Sequence, residues 1–503
     1  MQDKDNSYTS VDSVSFGKSL DTKNISEPDK SEVVTDTPNA QAEDGSYDNS
    51  KTGGAGFGRA SVLTSSTTEL KARPKKSLKE FLRYDDEVSV SEALGKESEL
   101  PSAIKKMPKP LSFLWRVLFG GISFKDKKTY PKTSAGVDRV MVLIICILVC
   151  IGSVMVFSAS YAFAQTRYGD SLHFVKKQIS FVLIGLVAMF ATSLFTPAFY
   201  KMVSRGFFGV SLVLLVLVLV MGFAGNGAQR WIALGPISFQ PSEVAKMALV
   251  LILAWYYSVF EDRVTNYSNK RVSFFYGILY PFLLIGVTAG LVMLEKHLSC
   301  LIILGCIGMM IMYASGSEQK LLGIICGCGI LCVAILAVAI PYTRRRLLIW
   351  VDPTKDAQDG GWQTLQGLNA IGSGGFFGLG LGNSRMKYSY VSEPANDFIF
   401  TITCEELGFV GAAAIMALFA LFVWRGYHIA KTNRDTFARV TAFGITTQVA
   451  VQVMLNIAVV TNTFPNTGIA LPFFSYGGTS LVMLFAEMGI LLSVSRSSHL
   501  KYR

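Results

Sequence analysis

Asp397 is the residue of this sequence best placed for acid–base chemistry. It closes the polar run Glu393-Pro-Ala-Asn-Asp397 immediately before an apolar stretch that opens with Phe398-Ile-Phe400 and contains Glu405 and Glu406. A carboxylate there suits a helix N-cap. In a partly buried cavity beside Glu393 its proton affinity rises above the ordinary aspartate value of about 3.9, which makes it a better general base. Glu243 and Lys246, in Gln240-Pro-Ser-Glu-Val-Ala-Lys246, form a second candidate pair. Three residues apart, they share one helix face and can pair. Pro241 and Glu243 also fit an ordinary first turn, but Lys246 lies deeper in an apolar run, where an ionisable group normally faces a cavity or a partner. Between residues 341 and 396 the sequence gathers Arg344, Arg345, Arg346, Lys355, Arg385 and Lys387. These cations suit an anion, although a loop of this length is also exempt from the charge rule that orients membrane proteins. Arg230 and Trp231 stand in a glycine-rich connection suited to a lipid headgroup zone. The stretch from Asn462 to Ser480, broken by Pro465, Pro472, Gly468, Gly477 and Gly478, reads as a close-packed re-entrant turn more readily than as a seat of direct chemistry.

The elements that must position these groups are membrane helices. Half of the residues are hydrophobic and only 17% are charged, and the apolar runs recur at roughly 20 residues, the length that crosses about 30 Å of hydrocarbon. The fold class expected is therefore an all-α integral membrane protein with about ten transmembrane helices, at residues 140–161, 175–195, 206–224, 241–260, 274–293, 298–314, 319–340, 398–424, 438–460 and 476–495. Short connections bearing Lys201 and Arg205, then Arg263, Lys270 and Arg271, then Arg425, Lys431, Arg434 and Arg439 alternate with connections nearly free of Lys and Arg. By the positive-inside rule these cations and both termini are cytoplasmic. A large extracytoplasmic loop, 341–396, then joins helices 7 and 8; it has no obvious regular structure, and its glycines and aromatics argue that it folds back in an ordered way.

Residues 1–104 are polar and aperiodic and read as a disordered cytoplasmic tail. Residues 105–137 alternate Lys and Arg with Leu, Phe and Trp and suit a basic amphipathic segment on anionic lipid. The membrane domain occupies 138–496, and 497–503 form a short cytoplasmic tail. All eight cysteines, Cys146, Cys150, Cys300, Cys306, Cys326, Cys328, Cys332 and Cys404, sit in or beside apolar runs and read as packing residues. The four histidines are scattered, and no zinc pattern results.

Several segments, taken in order, resemble the SEDS family of cell-wall proteins, which includes FtsW, RodA and SpoVE. They are Ser158-Ala-Ser160, Arg230-Trp-Ile with Phe239-Gln-Pro-Ser-Glu-Val-Ala-Lys246, Gly380-Leu-Gly-Asn-Ser384, Asn396-Asp-Phe-Ile-Phe with Glu405-Glu-Leu-Gly408, and Leu471-Pro-Phe-Phe-Ser-Tyr-Gly-Gly478. The last of these and Gly380–Ser384 look closer to the FtsW and SpoVE branch than to RodA. The resemblance implies a peptidoglycan glycosyltransferase that polymerises lipid II into glycan strands at the outer face of the bacterial plasma membrane and releases undecaprenyl pyrophosphate. It implies a catalytic role for Asp397 and a supporting pair in Glu243 and Lys246. Lys246, Arg230, Arg385 and Lys387 are then the candidates for holding pyrophosphate, and Trp231, Gln240, Ser242, Glu393, Ser475, Gly477 and Gly478 are further substrate-binding candidates. No tightly bound cofactor is implied, although Mg2+ or Mn2+ can share the diphosphate. The implied partners are lipid II, membrane lipid, a class B penicillin-binding protein transpeptidase and other division proteins, with no nucleic acid. One segment departs from the family pattern: Glu295-Lys-His-Leu-Ser299 lacks the proline and aspartate usual there, leaving Glu295 or His297 to stand in. A lipid II flippase and a non-catalytic divisome scaffold are the competing readings, since internal charges and broken helices also mark translocation pathways.

Overall fold

The computed structural model describes Pro108 and residues 136–498, apart from 226–227, 235–236, 266–269, 340, 357–360 and 389. The expected N-terminal tail, most of the basic segment and the last five residues lie outside the described residues.

The first three helices are α1 (Arg139–Tyr168), α2 (His173–Leu194) and α3 (Pro197–Met221). Three short strands follow: β1 (Phe223–Gly225), β2 (Ala228–Leu234) and β3 (Ile237–Phe239). Then come α4 (Pro241–Val259), the single turn α5 (Glu261–Val264), α6 (Lys270–Leu294), α7 (Leu298–Ala314) and α8 (Gln319–Ala339). The chain continues through α9 (Pro341–Val351), α10 (Trp362–Ser373), α11 (Ile399–Thr432), α12 (Thr436–Val460) and α13 (Gly478–Ser498). A helix stands at each of the ten expected places. Among the described residues eight are long and apolar enough to cross a bilayer (α1, α2, α3, α4, α6, α11, α12 and α13), and α7 is a shorter apolar helix. The protein is a multi-pass membrane protein.

Burial divides the helices. α4 is enclosed almost all round, from Pro241 to Tyr257, whereas α2 buries only Gln178, Gly185 and Ser193. An apolar helix left open in this way faces acyl chains, which satisfy its side chains as well as protein does. At one end of the bundle, Asp138 caps α1 by accepting from the Met141 amide and also pairs with Arg425 of α11 at 2.7 Å.

Three features depart from the sequence reading. The connection 223–239 is an antiparallel sheet in the order β1-β2-β3 rather than a loop; its strands satisfy one another's backbone groups, as a segment beside hydrocarbon requires. The 341–396 segment holds α9, α10 and a 3-10 turn at Pro353–Asp356, so much of it is regular. The third departure is a break in α11 at Gly408, where φ is 65° and ψ is −170°. The amides of Phe409 and Val410 donate to the carbonyls of Gly375 and Phe376, while the carbonyls of Glu405 and Glu406 accept from the amides of Leu379 and Gly380. The groups freed by the break are thus paired with a folded-back strand of chain, which is how irregular backbone survives at membrane depth. No side chain fits there: a Cβ on Gly408 would lie 2.2 Å from the Gly378 nitrogen.

Candidate active site

Asp397 is held by its own backbone. Asn456, buried in α12, donates its side-chain amide to the Asp397 carbonyl at 2.8 Å and to the Ile469 carbonyl at 2.6 Å. Ser475 donates to the Asn396 carbonyl at 2.8 Å and accepts from the Leu471 amide at 2.7 Å. The Tyr476 amide donates to the Ala395 carbonyl. Residues 395–397 are therefore stapled to the 469–476 turn, which leaves the Asp397 carboxyl free to point elsewhere.

It points into a cavity of about 530 Å³ whose lining includes Arg230, Lys296, Arg346, Glu393 and Asp397. Burial, and then the neighbouring Glu393 carboxylate, push the Asp397 carboxyl up to about 6 against the pull of Arg230. Arg230, on β2, donates to the Lys296 carbonyl at 2.6 Å, and Arg346, on α9, donates to the Asn466 carbonyl at 3.0 Å. Three lining residues, Lys296, Glu393 and Asn462, hold positive φ of 54–56° without being glycine. Each such residue costs on the order of 1–3 kcal/mol and persists where the surroundings over-determine it, as at functional sites.

Gly468 closes the cavity against the carboxylate. Its φ is +67°, and a Cβ there would lie 2.9 Å from Asp397 Oδ2. Gly468→Ala is expected to displace the carboxyl and to lower any turnover that depends on it by about 10²-fold, the usual scale for a displacement of about 1 Å. The catalytic rate, measured beside the melting temperature of the same preparation, checks this; a parental rate in the folded variant counts against it.

A second polar cluster lies at the start of α4. Lys246 pairs with Glu243 at 2.9 Å, and His297 Nδ1 stands 3.4 Å from the Gln240 amide nitrogen and 3.3 Å from the Ser242 hydroxyl. None of Gln240, Ser242, Glu243 and Lys246 is among the residues lining the Asp397 cavity. The corner Glu295-Lys296-His297 connects the two clusters, with Lys296 on the cavity and His297 on the α4 side. Burial, Arg230 and Lys246 push the His297 imidazole down to about 3, and burial pushes Glu295 up to about 8 against the pull of Arg230. Both groups are therefore neutral near pH 7. Both Glu295 carboxyl oxygens are buried without a hydrogen-bond partner.

A family model described as Cell cycle protein, FTSW_RODA_SPOVE, matches residues 138–500. The chain belongs to this family. It is 38% identical over 378 residues to Stage V sporulation protein E of Bacillus subtilis (strain 168), covering 74% of this chain and 99% of that protein. It is 36% identical over 370 residues to Probable peptidoglycan glycosyltransferase FtsW of Trichlorobacter lovleyi, covering 73% and 94%. A chain from the solved structure described as "Structural coordination of polymerization and crosslinking by a peptidoglycan synthase complex" superposes with a TM-score of 0.60 at 26% identity, covering 73% of this chain and 99% of that one.

In this FtsW/RodA/SpoVE-family chain, Lys387 lies away from the cavity. It is 2% exposed and pairs with the fully buried Glu406 at 3.1 Å. Glu406 also accepts from the Ser158 hydroxyl at 2.6 Å, and Glu405 accepts from the Ser384 hydroxyl and the Arg385 amide. Two carboxylates carried into the bundle by α11 need partners, and the folded-back loop supplies them. Arg385 contributes its backbone to that network, its side chain is exposed, and it does not line the cavity. Trp231, Ser475, Gly477 and Gly478 do not line it either; Ser475 is one of the backbone staples, and Gly478 packs on Phe181. Of the expected diphosphate cradle, the cavity keeps Arg230 and adds Lys296 and Arg346.

Proposed function

We propose that this glycosyltransferase polymerises lipid II into glycan strands at the extracytoplasmic face and releases undecaprenyl pyrophosphate, in division or spore-wall synthesis. The carrying observation is one carboxyl with raised proton affinity, Asp397, in a cavity that also holds Arg230, Lys296 and Arg346. Asp397 takes the proton from the acceptor sugar hydroxyl as that oxygen attacks the anomeric carbon of the donor. The bond from that carbon to the diphosphate oxygen breaks, and the cations receive the developing negative charge. Asp397 and Glu393 are hard oxygen donors of the kind that, with diphosphate oxygens, hold Mg2+ or Mn2+; such an ion neutralises leaving-group charge when bound. Among the described residues no cluster of three His, Cys, Asp or Glu side chains forms a metal site within the protein itself. The Lys and Arg distribution supports cytoplasmic termini, and the expected partner is a class B penicillin-binding protein transpeptidase.

Labelled lipid II incubated with the purified protein and its transpeptidase is expected to give a ladder of glycan strands on a gel; movement of lipid II between leaflets with no polymer would leave the flippase reading instead. Because the base acts ionised, kcat/KM is expected to rise with pH through about 6 and to fall below it as Asp397 binds a proton. A profile flat from pH 5 to 8 counts against this assignment.

A further inference from the structure

Glu295 is a buried carboxyl that the proposed reaction does not use. It caps the C-terminus of α6, is 1% exposed, and neither of its carboxyl oxygens has a hydrogen-bond partner. A buried polar group left in that state calls for an explanation. The next residue, Lys296, holds a left-handed φ of 56° and presents its carbonyl to Arg230, whose Nη2 donates to it at 2.6 Å. The strained corner thus places Glu295 one residue from the point where Arg230 is gripped. Arg230 and Lys296 line the cavity and Glu295 does not. The Arg230 charge acts on Glu295 and on Asp397 alike, so one guanidinium is shared between a carboxyl inside the cavity and a carboxyl outside it.

The other titratable and charged groups near Glu295 leave Arg230 as its counter-charge. His297, on the same corner, is neutral near pH 7, and Cys300 comes from α7. From α4, Lys246 is already paired with Glu243 at 2.9 Å. Lys296 belongs to the cavity lining.

We infer that Glu295 is a positioning residue that competes with the diphosphate for Arg230: protonated, it leaves the guanidinium to the cavity, and ionised, it draws the guanidinium into an ion pair and weakens the cradle. The inference rests on the proposed reaction for the identity of the ligand. A guanidinium fork matches a carboxylate as well as it matches a phosphate, so the two anions contend for the same donors. The proton that Glu295 loses on pairing goes to solvent, and it is taken back when diphosphate reclaims Arg230. Proton and diphosphate therefore favour one another, and by reciprocity the affinity for diphosphate falls as pH rises through the titration of Glu295.

Equilibrium binding of undecaprenyl pyrophosphate to the full-length protein in detergent, at pH 7 and at pH 9, tests this in a window above the Asp397 ionisation near 6. Burial pushes Glu295 up to about 8 against the pull of Arg230, and for a group titrating there linkage gives the parent about tenfold weaker binding at pH 9 than at pH 7. Glu295→Gln keeps the shape and the neutral state of the side chain. It is expected to bind as the parent does at pH 7 and to hold that affinity at pH 9. Arg230→Gln is expected to bind about tenfold more weakly at pH 7, the scale of one charge-assisted hydrogen bond, and to respond no further to pH. A purely structural role for Glu295 would instead lower affinity at both pH values and leave their ratio unchanged. A parent that does not bind, or binds equally at the two pH values, overturns the inference, as does a loss at pH 9 that persists in Glu295→Gln or in Arg230→Gln. If the parent shows the expected response but makes no polymer from lipid II, the proposed reaction fails while the linkage of Glu295 to Arg230 stands.

Discussion

Asp397→Asn is expected to retain lipid II binding and to lose polymerisation by about 10²- to 10⁴-fold, the range assigned to a general base. The substitution preserves shape. Asn456 holds residue 397 through its backbone carbonyl, and Ser475 and Tyr476 hold the two residues before it in the same way, so the staples do not depend on the carboxylate. Asparagine cannot accept the proton, and the three cations of the cavity lose a neighbouring negative charge, so affinity for the diphosphate should hold or rise. Single-turnover gels with labelled lipid II read the chemical step, and equilibrium binding of the same substrate reads the rest. A parental rate in the folded variant would remove Asp397 from the mechanism.

Lys387→Met carries the largest expected effect on stability. Lys387 and Glu406 are both enclosed, at 2% and 0% exposure, so solvent screens their interaction little. Removing one partner of a buried pair typically costs about 3–5 kcal/mol because the other charge is left uncompensated. Glu406 would keep the Ser158 hydroxyl and the Ser384 amide but lose its cation. A marked fall in melting temperature in detergent is expected for Lys387→Met, with partial recovery when Glu406→Gln is added, since the double variant leaves neither member of the pair as an uncompensated charge. Equal stability of Lys387→Met and the parent would mean that the pair contributes nothing to the fold.

The helices were legible because lipid imposes one requirement, an apolar run of spanning length, that can be read residue by residue. Asp397 was legible too, as an ionisable group at the start of such a run, and Arg230 as the one cation of a glycine-rich outer connection. The partner of Lys387 was not, because a loop cation gives no sign that a kinked helix will bring Glu406 to it. Gly408 looks like any glycine in an apolar run, and its break depends on amides and carbonyls supplied from 375–380. Asn456 reads as a mid-helix polar residue until the 469–476 turn comes beside it. Lys296 was visible only as part of the Glu295–Ser299 departure, and Arg346 only as one of a group of loop cations. In each case the side-chain type was plain and the pairing was set by tertiary structure.

The pH dependence of lipid II polymerisation in the parent and in Glu393→Gln tests most directly whether the ionisation of Asp397 limits the proposed reaction. Burial is the main cause of the raised proton affinity of Asp397, and Glu393 adds to it, so removing the Glu393 charge stabilises the ionised form. The acid limb, near pH 6 in the parent, is predicted to move to lower pH in the variant. A limb that stays in place or moves upward would contradict the account, because the ionisation that governs the rate would then belong to another group.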